Sequence, residues 1–274
     1  MDISGDMLWL AAALLASGAI AGMLAGLFGI GGGGILVPIL YELFRGAGIR
    51  ETVCMQLAVG TSLAIIIPTA YRSFRAHYLR GAVDMHVVRT LGPAVAAGVV
   101  AGIAVAQFAS GGAMKAMFAA SSLAMAAKLL AGRDRWLLGT ELPGNPIDAL
   151  VGLAIGAIST LIGIGGGVYV SAYMTLYRRP IHQAVATSSA FGPIIAIPAV
   201  AGYIWAGRAA EGLPPGSLGY VSLLGAALVA PVSVLAAPIG VRIAHGISRR
   251  KLEVAFALTL TAFGGRLIYT LLGH

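Results

Sequence analysis

The segment FGIGGGG at residues 28–34 interrupts a long apolar stretch of the chain, and a second segment, IGIGGG, does the same at residues 162–167. Each glycine in a helix costs roughly 1 kcal/mol relative to alanine, so neither segment is expected to stay helical. Stretches this apolar are otherwise typical of helices inside a membrane. The sequence therefore predicts two buried helices, each broken at a run of glycines.

The composition predicts an all-α integral membrane protein. Of the 274 residues, 58% are hydrophobic and only 10% are charged, whereas soluble domains carry about 25% charged residues. The net charge of +8 is typical of the lysine and arginine excess in cytoplasmic loops, so no nucleic-acid partner is expected. The single cysteine, Cys54, excludes an intrachain disulfide and implies no thiolate metal cluster. We expect membrane lipid and a small anion as partners, with no metal and no cofactor; a homo-oligomer stays open.

Ten apolar segments are expected to cross the membrane. They are residues 7–27, 35–44, 52–71, 85–108, 113–130, 146–161, 168–177, 181–206, 218–244 and 252–272. A full span needs about 20 residues, but the two segments that follow the glycine runs have only ten. The glycines must therefore lie within the membrane, where irregular backbone persists only if protein buries it or it lines a cavity.

The two halves of the chain repeat. Three offsets relate them: 134 maps Gly18 and Gly22 to Gly152 and Gly156, 126 maps AVGTS (58–62) to AVATS (184–188), and 138 maps Pro93 to Pro231. Small differences in loop length explain why the offsets are not identical. We divide the chain into a first membrane repeat (1–131), a cytoplasmic linker (132–145) and a second membrane repeat (146–274).

The distribution of basic residues predicts the orientation. If all ten segments cross, thirteen lysines and arginines lie on one side and four on the other; if the two short segments are re-entrant, the split is eight to nine. The positive-inside rule favours ten crossings of a bacterial-type plasma (inner) membrane, with both termini outside. Five crossings per half is an odd number, so the halves form an inverted repeat, which is common among secondary transporters.

The glycine runs are the predicted substrate site. The first run matches the dinucleotide-binding fingerprint GxGxxG at residues 29–34, but no strand precedes it and no acidic ribose partner follows it, so we do not expect a nucleotide site. The alternative to a substrate site is tight packing between helices. Short helices that begin near Gly33 and Gly167 would present unpaired N–H groups and about half a positive charge to an anion. In an inverted repeat these two helix ends would face each other near the middle of the membrane. The candidate glycines are Gly31, Gly32, Gly33, Gly34, Gly165, Gly166 and Gly167.

Hydroxyl groups near the glycine runs extend this candidate site. Thr61, Ser62, Thr187 and Ser188 lie near the middle of their segments, and Tyr169 follows the second glycine run. Each serine or threonine could donate to an anion or, alternatively, bond to a carbonyl of its own helix. Tyr169 points to the site or belongs to the packing.

Four further polar residues are candidates for a gate or for coupling. Gln56, His182 and Gln183 lie one or two turns before the hydroxyl groups, and Arg266 lies inside the last segment. His182 is either a proton-linked gate or an interfacial loop histidine. Arg266 is costly inside a span unless it faces a cavity or a partner, so it snorkels, forms a pair or contacts substrate.

At these residues the chain resembles the sulfite exporter TauE/SafE family of membrane proteins. The resemblance rests on GIGGG in both halves (29–33 and 163–167), on AVGTS and AVATS, on GVRIA (240–244) and on the basic turn 249–251. It covers essentially the whole chain. It implies export or import of a small sulfur-containing anion such as sulfite or an organosulfonate.

Alternating access by a secondary transporter is the leading hypothesis for function. An anion channel and a non-transporting subunit of a membrane complex are the alternatives. An intramembrane enzyme would need paired carboxylates or a metal cluster, but the acidic residues lie at loop edges and the five histidines form no ligand pair at helical spacing. We therefore do not expect an enzyme.

Overall fold

A bundle of helices makes up almost the entire described part of the chain, which in this computed structural model comprises residues 12, 14–23, 33–131, 137–246 and 249–273. The helices are α1 (Leu14–Met23), α2 (Gly33–Gly46), α3 (Glu51–Leu79), α4 (Met85–Phe108), α5 (Gly111–Ala131), α6 (Ile147–Ile162), α7 (Gly167–Leu176), α8 (Ile181–Ser188), α9 (Phe191–Ala206), α10 (Leu223–Gly246) and α11 (Arg249–Leu271). Two short strands, β1 (Ser217–Leu218) and β2 (Val221–Ser222), pair antiparallel before α10.

The prediction of an all-α membrane protein is confirmed. Five helical stretches of the described chain are long and apolar enough to cross a membrane, namely α3, α4, α5, the α8–α9 pair and residues 253–271 of α11. The predicted starts of the two short helices are also confirmed, because α2 begins at Gly33 and α7 begins at Gly167. Gly31 and Gly32 lie outside the described residues.

Helices α6 and α7 form a hairpin that turns at the second glycine run. Gly163 and Gly166 have φ angles of 72° and 71°, which glycine adopts without the steric cost that a Cβ would impose. At the open side of the hairpin, the Tyr173 hydroxyl donates to Asp148 Oδ1 over 2.5 Å. The hairpin therefore enters and leaves at one end of the bundle, which we call the Asp148 end.

Helices α1 and α2 have a matching arrangement at the opposite end of the bundle. Gly18 packs on Val229 of α10 and Gly22 packs on Ser233, so α1 runs parallel to α10. Helix α2 runs back, and the Tyr41 hydroxyl near its last turn donates to Glu51 Oε1 at the start of α3 over 2.5 Å. We call this the Glu51 end.

These hairpins differ from the predicted ten crossing segments. Helices α6 and α7 return to the end from which they enter, because the positive-φ glycines reverse the chain direction instead of merely interrupting a helix. Helices α3, α4, α5, α8–α9, α10 and α11 connect the two ends. The assignment of thirteen and four basic residues to the two sides is unaffected, since a hairpin of two helices and a pair of crossings both bring the chain back to its starting side. The split of eight to nine applies only if the preceding segment crosses and the short segment alone does not.

Glycines allow the closest helix contacts. A Cβ on Gly156 of α6 would overlap the carbonyl oxygen of Val95 in α4, and a Cβ on Gly22 of α1 would lie 2.6 Å from the Cα of Ser233 in α10. Under the sequence offsets of 134 and 138, Gly22 corresponds to Gly156 and Val95 corresponds to Ser233. The same helix contact therefore occurs once in association with each hairpin.

We expect Gly156→Ala to destabilise the protein by about 1–3 kcal/mol, because backbone cannot yield to the added methyl group as a side-chain end can. Gly265→Ala is the matched control, since Gly265 lies inside α11 with no atom within 4 Å of an added Cβ. Thermal unfolding of the two variants in detergent measures the difference. Equal melting temperatures would contradict the prediction.

Candidate functional site

The start of α2 meets the turn between α6 and α7 inside the bundle, and we call these two positions the hairpin tips. A Cβ on Gly33, the first residue of α2, would lie 2.9 Å from both the Gly163 carbonyl oxygen and the Ile164 Cα. Ser62 of α3 donates its hydroxyl to the same Gly163 oxygen over 3.1 Å. From this contact α2 runs to the Glu51 end and α7 runs to the Asp148 end. The N-termini of two oppositely directed helices are therefore close together.

The start of α7 has unpaired backbone donors. Gly166 is the N-cap of α7, and it has no side chain to cap the helix. The N–H groups of residues 165–168 make no hydrogen bond to any described residue. A helix N-terminus carries about half a positive charge, so this position favours an anion.

A small cavity lies beside the first turn of α7. Its volume is about 10 Å³, and Gly34, Ser121, Ile164 and Tyr169 contribute to its lining. The Tyr169 and Ser121 hydroxyls hydrogen-bond to each other at its edge. This volume holds about one water molecule and is too small for an oxyanion. An oxyanion could therefore enter this cavity only if it widened.

Thr61 and Thr187 have equivalent contacts. Thr61 Oγ1 accepts a hydrogen bond from the backbone N–H of Ser222 over 2.9 Å, and Thr187 Oγ1 accepts one from the backbone N–H of Asp84 over 2.9 Å. Ser222 and Asp84 are themselves related by the offset of 138. Each threonine is fully buried and joins its helix to the start of α10 or α4. Both oxygens are therefore used as acceptors within the protein.

Ser188 forms a hydrogen bond within its own helix, which is the alternative to anion binding. Its hydroxyl donates to the Val185 carbonyl over 3.0 Å. It nonetheless lies near the second tip, with Oγ 3.7 Å from a Cβ placed on Gly167. A Cβ on Gly165 would lie 3.0 Å from Ile66 Cγ2. The structure thus brings together at the tips the following candidates: Gly33, Gly34, Ser62, Gly165, Gly166, Gly167, Tyr169 and Ser188.

The four gate or coupling candidates do not gather at the tips. Gln56 donates to the Ala109 carbonyl over 3.3 Å near the Glu51 end. Gln183 donates to Asp84 Oδ2 over 3.4 Å, and His182 beside it is exposed. Arg266 pairs with Glu42 through Nε and Oε1 at 2.9 Å, where its side chain is half exposed. Arg266 therefore has a partner on the bundle surface, which the sequence alone left undecided.

A buried charged cluster at the Glu51 end was not identified from the sequence. Lys115 is only 4% exposed and forms an ion pair with Glu51, while its Nζ lies 5.0 Å from the centre of the Tyr41 ring. An isolated buried charge is very costly, so the carboxylate partner is needed. The signal in the sequence is that Lys115 lies just inside the predicted apolar segment 113–130, where a charge needs a partner.

Comparisons with known proteins relate the chain to a family of membrane transporters. A family model described as sulfite exporter TauE/SafE matches residues 14–267. A probable membrane transporter protein of Haemophilus influenzae is 30% identical over 245 residues, which are 89% of this chain and 92% of that relative. A probable membrane transporter protein of Methanocaldococcus jannaschii is 28% identical over 260 residues, 94% of this chain and 96% of the relative. No solved structure matches.

These matches define the protein as a multi-pass membrane transporter. Its relatives belong to a family of transporters and not to a class of enzymes. The chain belongs to the TauE/SafE sulfite exporter family, because the family model covers nearly its whole length. The resemblance found in the glycine and threonine motifs is thereby confirmed.

We expect Thr61→Val and Thr187→Val each to destabilise the protein by about 1–3 kcal/mol, because each leaves a buried N–H without its acceptor. Thr61→Ser and Thr187→Ser retain the hydroxyl and serve as controls. Thermal unfolding in detergent measures the effect. If a valine variant unfolds at the temperature of its serine counterpart, the hydroxyl does not support the fold.

Proposed function

We propose that the protein is a secondary transporter that moves a small sulfur-containing oxyanion, such as sulfite or an organosulfonate, by alternating access. The contact of Gly33 with Gly163 and Ile164 carries this proposal, because it brings the N-termini of α2 and α7 together in the interior. Two positive helix ends at one place suit an anion. The description of the family as sulfite exporters supports sulfur oxyanions as the substrate class.

We further propose that residues 1–131 and 146–274 are inverted halves joined by a linker at 132–145. Each half consists of one re-entrant hairpin followed by helices that cross a bacterial-type plasma membrane. The matched threonine contacts and the matched glycine contacts support two equivalent halves. The basic residues, thirteen on one side and four on the other, favour placing the Asp148 end in the cytoplasm and both termini outside.

Alternating access in this arrangement requires the hairpin tips to separate. The cavity beside α7 holds about one water, so it must widen to admit an oxyanion. Movement of one hairpin away from the other would open a path toward one end of the bundle. The Tyr41–Glu51 hydrogen bond joins α2 to α3 at the Glu51 end, so it would resist movement of α2, whereas the Tyr173–Asp148 hydrogen bond joins the two helices of the second hairpin to each other.

Transport is tested with purified protein in liposomes, by counterflow of radiolabelled sulfite. We expect saturable uptake by the wild type and at least a tenfold lower rate for Gly33→Ala, because the added Cβ would collide with backbone at the second tip. Gly46→Ala is the control, since Gly46 lies in the same helix with no atom within 4 Å of an added Cβ. Absence of uptake of any sulfur oxyanion by the wild type would refute the proposed function, whereas non-saturable flux would indicate a channel.

The topology is tested with single cysteines at three exposed loop positions, Ala47, Leu138 and Ala209. The native Cys54 is buried, so it adds little background reaction with a membrane-impermeant maleimide. We expect labelling of Ala47→Cys and Ala209→Cys in intact cells, and of Leu138→Cys only after permeabilisation. If Ala47→Cys and Ala209→Cys are labelled only after permeabilisation, or if only one of them is labelled in intact cells, the proposed topology is excluded.

A further inference from the structure

Ser159 is a fully buried serine whose hydroxyl has no partner in the described part of the chain. It lies on α6, one turn before the second hairpin tip, and 0% of its surface is exposed. Its Oγ makes no hydrogen bond with any described residue. By contrast, Ser171 donates to the Val168 carbonyl within α7, and Ser189, directly after α8, donates to the Ala186 carbonyl. A buried hydroxyl without a partner is costly, so its presence calls for an explanation.

The hydroxyl of Ser159 lies against the start of α7. Its Oγ is 3.3 Å from the position of a Cβ placed on Gly166. Gly166 is the N-cap of α7, and the N–H groups of residues 165–168 have no acceptor in the described part of the chain. A side-chain donor and several backbone donors are therefore unpaired at the same place, where the helix end also favours negative charge.

We propose that Ser159 binds the transported anion, with Oγ donating to one oxygen while the N–H groups at the start of α7 donate to others. This inference rests on the proposed function and specifies the substrate site within it. The matching ligand is an oxyanion with several oxygens on one sulfur atom, as in sulfite, thiosulfate or a sulfonate. Such an anion can accept from the hydroxyl and from the backbone simultaneously, and in doing so it removes the cost of leaving them unpaired.

The terminal methyl group of Ile195 closes this position in the structure. It occupies the space that the missing side chain of Gly166 leaves beside Ser159. The end of a side chain moves at lower cost than backbone, because only a rotamer changes. Rotation of Ile195 would therefore expose the donors to the anion without unfolding the hairpin.

The two halves contribute unequally to this site. The offset of 134 that relates the glycine runs maps Ser159 to Ala25, which has no hydroxyl. The second hairpin therefore supplies a donor that the equivalent position of the first cannot supply. This difference places the anion closer to α7 than to α2.

The test is sulfite binding to the full-length, detergent-purified protein, measured by isothermal titration calorimetry. We expect Ser159→Ala to raise the Kd for sulfite at least tenfold, about 1.4 kcal/mol. Ser171→Ala is the matched control and should leave the Kd unchanged, because the Ser171 hydroxyl is satisfied within α7. The melting temperature without ligand should not fall in Ser159→Ala, since the substitution removes a hydroxyl that has no partner.

The outcomes separate this inference from the proposed function. Equal sulfite affinity of wild type and Ser159→Ala would overturn the role of Ser159 and leave the proposed function standing. Weaker binding together with a lower melting temperature of the unliganded variant would also overturn it, because Ser159 would then act through the fold. If the wild type binds neither sulfite, thiosulfate nor sulfoacetate, both the substrate class and the role of Ser159 are refuted.

Discussion

Backbone-to-backbone contact between the two hairpin tips is the constraint on which the rest of the structure depends. Inside a membrane protein, backbone outside a helix persists only if its polar groups are satisfied by protein or line a cavity. Glycine at residues 33 and 163 allows the tips to approach each other closely. The Ser62 hydroxyl donates to the buried Gly163 carbonyl. The N–H donors at the start of α7 have no acceptor among the described residues, which is the condition for binding an anion there.

The threonine motifs hold the helices that surround these tips. Thr61 and Thr187 each accept a hydrogen bond from the first turn or N-cap of a helix in the other part of the chain. A hydroxyl that is used in this way fixes one helix relative to another, because losing the contact leaves a buried donor unsatisfied. The motif therefore has a structural role in both halves of the chain, which leaves the glycine runs as the proposed substrate site. This division also gives a rigid frame against which the hairpins can move.

Both hairpins are fastened near their open ends by a tyrosine and a carboxylate. At the Glu51 end this pair is joined by the buried Lys115, whereas at the Asp148 end the described contact of the carboxylate is with Tyr173. Burial of such groups is costly unless they are paired. The first pair therefore ties α2 to α3, and the second ties α7 to α6 within one hairpin.

The sequence by itself determined the class of the protein and the position of the two short helices. Composition and segment length suffice for a membrane protein, and the glycine runs mark helix starts at Gly33 and Gly167 because consecutive glycines cannot sustain a helix. Only the tertiary structure decided that α6 and α7 form a hairpin instead of two crossings, since reversal depends on the φ angles of Gly163 and Gly166. It also revealed the unpaired hydroxyl of Ser159. Whether a buried serine has a partner depends on which atoms surround it after folding, and spacing along the chain carries no information about that.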